Sequence, residues 1–97
     1  MKALRHDPAR ATHIAEVLKA VAHPLRLRIV ATLCRGAENV GVLAARLGAR
    51  PPIVSQQLRI LRSNGLVAAT REHGHAVYRL AEPALEGLVC CMEKCSR

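Results

Sequence analysis

The chain has 97 residues, a formal charge of +8 and a single aromatic residue, Tyr78. That length allows one domain around a small core, and so basic a domain favours a polyanionic partner. The near absence of aromatic side chains argues against a protein that stacks single-stranded bases or RNA on aromatic platforms, whereas duplex DNA read by a helix needs none. No stretch approaches the ~20 apolar residues that span a bilayer. The N-terminal segment MKALRHDPARATH is charged and lacks the apolar centre of a secretion signal. The expectation is one domain over residues 1–97, soluble and cytoplasmic, with no membrane partner.

The first helix is signalled by Asp7-Pro8, with the proline in the first turn. Ile14, Val17, Leu18 and Val21 follow at helical spacing. His23-Pro24 ends that helix and starts a second, whose apolar face is Leu25, Ile29, Val30 and Leu33 and whose stop is Arg35-Gly36. Asn39 is the N-cap of a third helix, with Val40, Leu43 and Leu47 inward and Gly48 as its stop. A fourth helix starts near Pro51 and ends at Asn64-Gly65, with Val54, Leu58 and Leu61 on one face and Ser55, Gln56, Gln57 and Arg59 elsewhere on its surface. Two β-prone stretches, Leu66 to Arg71 and Ala76 to Leu80, flank the polar tip Glu72-His73-Gly74-His75. The last helix begins near Glu82 and carries Leu85, Leu88, Val89 and Met92 on one stripe.

The order ααααββα is mainly α with a small β-hairpin (α+β). The third and fourth helices are joined only by Gly48-Ala49-Arg50, the short connection of a helix-turn-helix. A helix with amide side chains near its start, followed by a basic hairpin, is the layout of a winged helix-turn-helix, which puts a helix in the DNA major groove and a hairpin on the backbone. The first and last helices lie outside this motif. A domain this small cannot cover both of their apolar stripes, Ile14/Val17/Leu18/Val21 and Leu85/Leu88/Val89/Met92. Packing against a second copy is the expected remedy, and a two-fold homodimer matches a palindromic operator in double-stranded DNA.

With its elements in this order, the chain resembles the ArsR/SmtB family of bacterial metalloregulatory repressors. The matching pieces are VAHPLRLRIVATL, VGVLAARLG, PPIVSQQLRILRSNGLV and REHGHAVYRL. Together they span residues 21–80, about three fifths of the chain, and their specificity lies in the combination. The resemblance implies a homodimeric winged-helix repressor that leaves its operator when an inducer binds and needs no cofactor to hold DNA. Ser55, Gln56, Gln57 and Arg59 then face DNA. A Gln pairs with adenine N6 and N7, and a Ser reaches a phosphate or base edge. Arg71, His73 and His75 suit phosphate contact from the wing; the same two histidines alone make a poor metal site. One departure concerns the start of the fourth helix. The family usually has a Ser or similar cap there, and this chain has Ala49-Arg50-Pro51-Pro52. Arg50, beside Pro51, is free to meet a phosphate or a guanine instead.

The inducer question turns on the cysteines. Cys90, Cys91 and Cys95 crowd the C-terminus and Cys34 stands alone, a placement unlike a disulfide framework that closes long loops. Thiolates are soft ligands for Zn(II), Cd(II), Pb(II) and, by the same softness, trivalent arsenic. At about 100° per residue, Cys91 and Cys95 share a helix flank while Cys90 points to the far side. A three-sulfur site for As(III) therefore requires the last turn to unwind, which is cheap at a chain end. Some arsenite-sensing members of the family use a vicinal Cys pair plus a third Cys in this region. Other family sites do not carry over. There is no cysteine near Val40 to Leu43, and residues 82 to 97 contain no His or Asp, which argues against a zinc, nickel or cobalt sensor of that type.

Cys34 reads either as a small core residue or as one half of a redox pair. Relatives that sense persulfides use one cysteine in the second helix and one in the last, so a Cys34–Cys95 linkage is the alternative mechanism. A DNA-architectural protein without a sensor site is an alternative of another class, which leaves the cysteine cluster without a role. Nothing in the sequence forms a nucleophile–base–orienter set or a phosphate-binding glycine loop, so an enzyme is not expected.

Overall fold

The computed structural model describes residues 3–94. After a short 3-10 turn at Leu4–His6, five helices follow in chain order: α1 (Pro8–Val21), α2 (Pro24–Leu33), α3 (Val40–Leu47), α4 (Pro51–Ser63) and α5 (Pro83–Lys94). Three strands, β1 (Glu38–Asn39), β2 (Val67–Glu72) and β3 (His75–Leu80), form one antiparallel sheet in the order β1-β3-β2. No described helix is long and apolar enough to cross a membrane.

The helix boundaries follow from local chemistry. Asp7 accepts from the amide of Arg10 at 3.1 Å and caps α1. His23 does the same for α2 through Nδ1, which accepts from the amide of Leu25 at 3.2 Å. Asn39 caps α3 by accepting from Val42 N at 2.9 Å. Gly48 then takes the left-handed conformation, φ 64°. This lets Ala49 N reach back to Ala44 O at 3.0 Å, the hydrogen bond that closes a helix and turns the chain sharply. A residue with a Cβ would be strained there.

The sheet has one strand more than the expected hairpin. β1 is only two residues long, pairing Glu38 with Tyr78 and Asn39 with Val77. Neither Glu nor Asn favours strands, so periodicity gives no sign of it. The hairpin itself closes on the pair Glu72–His75, leaving His73-Gly74 as a two-residue loop. Both have positive φ, 51° and 82°, as a type I′ turn demands.

The core is built around α4. Val54, Leu58 and Leu61 are fully buried, together with Ile29 and Val30 of α2, Leu43 of α3 and Leu85 of α5. Here the structure corrects one expectation. Val17, Val21, Leu85 and Val89, expected at a dimer interface, lie in the chain's own core. The reason is that α5 packs on α1 and α2 of the same chain. Each terminal stripe therefore splits: Leu18 stays 43% exposed, Leu88 38% and Met92 51%, while Ile14 is half-buried.

Leu58→Ala should lower stability by about 2–5 kcal/mol, the range for a fully buried leucine. Urea titration should show an earlier midpoint with an unchanged slope.

Candidate nucleic-acid interface

The inward stripe of α4 fixes what its other faces present. With Val54, Leu58 and Leu61 at the core, a rotation of about 100° per residue turns Gln56 and Arg59 outward and leaves Ser55 on a flank. The structure agrees: Gln56 and Arg59 are exposed and Ser55 is half-buried. Ile53, beside them in the first turn, is 44% exposed, an apolar group with no core role.

Gln57 behaves differently from Gln56. It is half-buried, and its Oε1 accepts from Arg26 Nε at 2.8 Å. Arg26 also donates through a terminal nitrogen to the carbonyl of Ala20 at 3.1 Å. The sequence places Gln57 near the groove but carries no sign of a partner on α2. A signal does exist for Arg26 itself. Ala20 O lies four residues before Pro24, which has no N–H to give it, so a nearby donor is needed.

The start of α4 has no side-chain cap, in keeping with the absence of a capping oxygen at Arg50. Pro51 and Pro52 occupy the first two helical positions and have no N–H to satisfy. The amides of Ile53 and Val54 both bond to Arg50 O, at 3.0 and 3.1 Å. The helix end is thus closed without a cap, and the exposed Arg50 side chain takes part in no ion pair among the described residues.

In the wing, Arg71 donates to Gly74 O at 3.0 Å and braces the tip that carries His73, while His75 opens β3. All three are exposed. Arg79 instead pairs with Glu72 at 2.9 Å, and Thr70 Oγ1 donates to the same carboxylate at 3.0 Å. The Arg79 bond, then the Thr70 bond, hold the Glu72 carboxyl below its ordinary value of 4.5. A depressed carboxylate contributes above its unfolded value and loses that contribution as pH falls through the folded one. The wing keeps this brace at neutral pH and loses it in acid. Arg71, by contrast, forms no ion pair among the described residues.

Among the sensor candidates, Cys91 is exposed on α5. Cys95 and the side chain of Cys90 lie outside the described residues. Cys34 follows the last residue of α2, half-buried and packed against the core. No group of three metal-ligating side chains occurs among the described residues.

A core to which all five helices contribute, a helix-turn-helix and an exposed hairpin define a winged-helix fold of the DNA-binding kind. Comparison with known proteins gives the family. The sequence model described as "Bacterial regulatory protein, arsR family" matches residues 23–69. The biofilm growth-associated repressor of Agrobacterium fabrum is 46% identical over 80 residues, covering 82% of this chain and 68% of that protein. The structure of the repressor BigR from Xylella fastidiosa superposes with a TM-score of 0.86 at 35% identity, covering 99% of this chain and 100% of that one. A homodimeric winged helix-turn-helix domain from Mycobacterium bovis gives 0.75 at 32% identity, covering 89% and 80%. The antimony-specific repressor AntR gives 0.77 at 31% identity, covering 89% and 82%. The chain belongs to the ArsR family, whose members among these relatives are DNA-binding transcriptional regulators rather than enzymes.

Gln56→Ala should weaken binding to a preferred duplex and relax base preference, by ~1–3 kcal/mol for a lost base contact. Arg71→Ala should lower affinity on every sequence and reduce the salt slope by about one. Competition binding against random duplex over a salt series separates the two.

Proposed function

We propose that this chain is a homodimeric repressor that reads a palindromic operator with α4 and releases it when a thiophilic trivalent ion, arsenic or antimony, binds Cys90, Cys91 and Cys95. The observation that carries the DNA part is the outward polar face of α4, backed by a fully buried apolar one. Arg50 and Ser55 extend that face, and Arg71, His73 and His75 add the wing.

Support for the dimer comes from Leu18, Leu88 and Met92, which stay exposed on the two terminal helices. Large apolar side chains left on a surface mark an association site. The homodimeric relative from Mycobacterium bovis is in line with this.

The inducer reading rests on three thiols within six residues, on the exposure of Cys91, and on the likeness to a repressor specific for antimony. Binding must deprotonate the thiols, so affinity should rise with pH across the thiol range. The helix that carries them packs on α2, and α2 packs on α4, so a distortion of α5 has a contiguous path to the reading helix. Induction requires tighter ion binding to the DNA-free state; a tenfold loss of DNA affinity corresponds to about 1.4 kcal/mol of coupling. A second reading is favoured by Cys34, which ends α2 on the side of the core: a Cys34–Cys95 linkage formed by persulfide or oxidant.

Leu88→Glu should give monomers in sedimentation equilibrium that no longer hold a palindromic site. Arsenite titration should raise sulfur-to-metalloid absorption at one ion per site and release DNA. Serine at Cys91 or Cys95 should abolish that response with DNA binding intact, and Cys34→Ser should leave it unchanged. Release by persulfide but not arsenite, lost in Cys34→Ser, would favour the linkage.

A further inference from the structure

Arg26 ties together three elements that do not follow one another in sequence. Its Nε donates to Gln57 Oε1 at 2.8 Å, and a terminal nitrogen donates to Ala20 O at 3.1 Å. The second bond anchors it. The carbonyl of Ala20 lies in the last turn of α1, and the residue four further on is Pro24, which has no N–H. Arg26 supplies the missing donor, so its guanidinium is held in place before it meets α4.

The first bond then fixes an orientation. The two ends of a Gln amide differ only in chemistry: one accepts, the other donates twice. A guanidinium has five N–H donors and no acceptor. It therefore donates only to the oxygen end of Gln57, and the NH₂ end must turn away from it. No buried polar side-chain atom lacks a partner among the described residues, so that NH₂ group is not sealed inside the protein.

We propose that Arg26 is a positioning residue that makes Gln57 a donor-only reader, matched to the N7 and O6 acceptors of guanine. This reverses the adenine pairing expected for a freely rotating Gln, which needs its oxygen to accept from adenine N6 while its NH₂ donates to N7. With the oxygen held toward α2 by Arg26, the NH₂ group is the end left to face a base: guanine offers it two acceptors, whereas adenine offers one acceptor and a donor that needs the oxygen turned to the same side. The proposal rests on the reading of α4 as the groove-facing helix.

The test is selection of binding sites from a randomised duplex library with the full chain, followed by affinity measurements on the selected duplex and its single-base variants. In the wild type, one position per half-site should prefer guanine, and Gln57→Ala should erase that preference with about a tenfold loss on the guanine duplex, the order of one hydrogen-bonded base contact. Arg26→Met should let adenine in at that same position. In the Gln57→Ala background Arg26→Met should have no further effect on base preference, although it lowers the melting temperature in both. Gln57→Glu keeps a partner for Arg26 and so keeps the fold. Its acceptor-only carboxylate should discard guanine in favour of cytosine, whose N4 donates.

A Gln57→Ala loss equal on all sequences would mean a phosphate contact and overturn the proposal. So would an Arg26→Met variant that melts earlier with an unchanged base profile, or a wild-type preference for adenine at the Gln57-dependent position. Gln56→Ala separates the two levels. If it alters base preference and Gln57→Ala does not, the role of Arg26 fails and the reading helix stands. If neither alters it, the assignment of α4 fails as well.

Discussion

Burial of Val54, Leu58 and Leu61 is the constraint on which the rest of this structure depends. All three are at zero exposure, and they meet residues from the other helices in one core. Because a helix turns by about 100° per residue, fixing that stripe fixes every other side chain of α4 at once. A slip of one position would bury Gln57 or Ser55 in an apolar layer without partners and expose a leucine, which costs on both sides. The short connection through Gly48 adds the second coordinate, the angle between α3 and α4. Packing thus sets the presentation of the polar face with no dedicated scaffold, and a small domain has no room for one.

Much of this was legible in the sequence because it is local. Asp7, His23-Pro24, Asn39 and Gly48 punctuate the helices by chemistry that acts within four residues, and each does so where expected. The hairpin was legible for the same reason, its loop marked by Gly74. What the sequence did not reveal depends on residues far apart. β1 exists because the outer edge of β3 offers backbone groups to Glu38 and Asn39, not because those two residues favour a strand. The bond between Arg26 and Gln57 spans two helices, and periodicity describes faces rather than partners. The terminal stripes show the same limit. Spacing identified Val17, Val21, Leu85 and Val89 as apolar and aligned, yet it could not say that the cover would be their own chain. The cysteine cluster falls largely outside the described residues, so its geometry is not part of what the fold fixes here.

The split of α5 has a physical corollary. Leu85 and Val89 belong to the core while Leu88 and Met92 face outward, on one helix of twelve residues. A helix is stiff on that scale, so it cannot be disturbed on one side alone. Any event that bends α5 must loosen core packing and alter the outer apolar surface together. Thermal stability and any association through Leu88 and Met92 are therefore joined by geometry, and whatever bends α5 acts on both.

The two prolines that open α4 carry a different kind of consequence. Helix N-termini commonly hold a phosphate through their first free amides, which fixes where along the duplex the protein sits. Pro51 and Pro52 remove two of those amides, and Ile53 N is already taken by Arg50 O. The field of the helix dipole remains, attractive but without a socket. Any grip by this end of the helix on a sugar–phosphate chain would then fall to side chains such as that of Arg50 rather than to backbone amides. A duplex met in this way would slide past the helix start more easily than one seated in an amide socket.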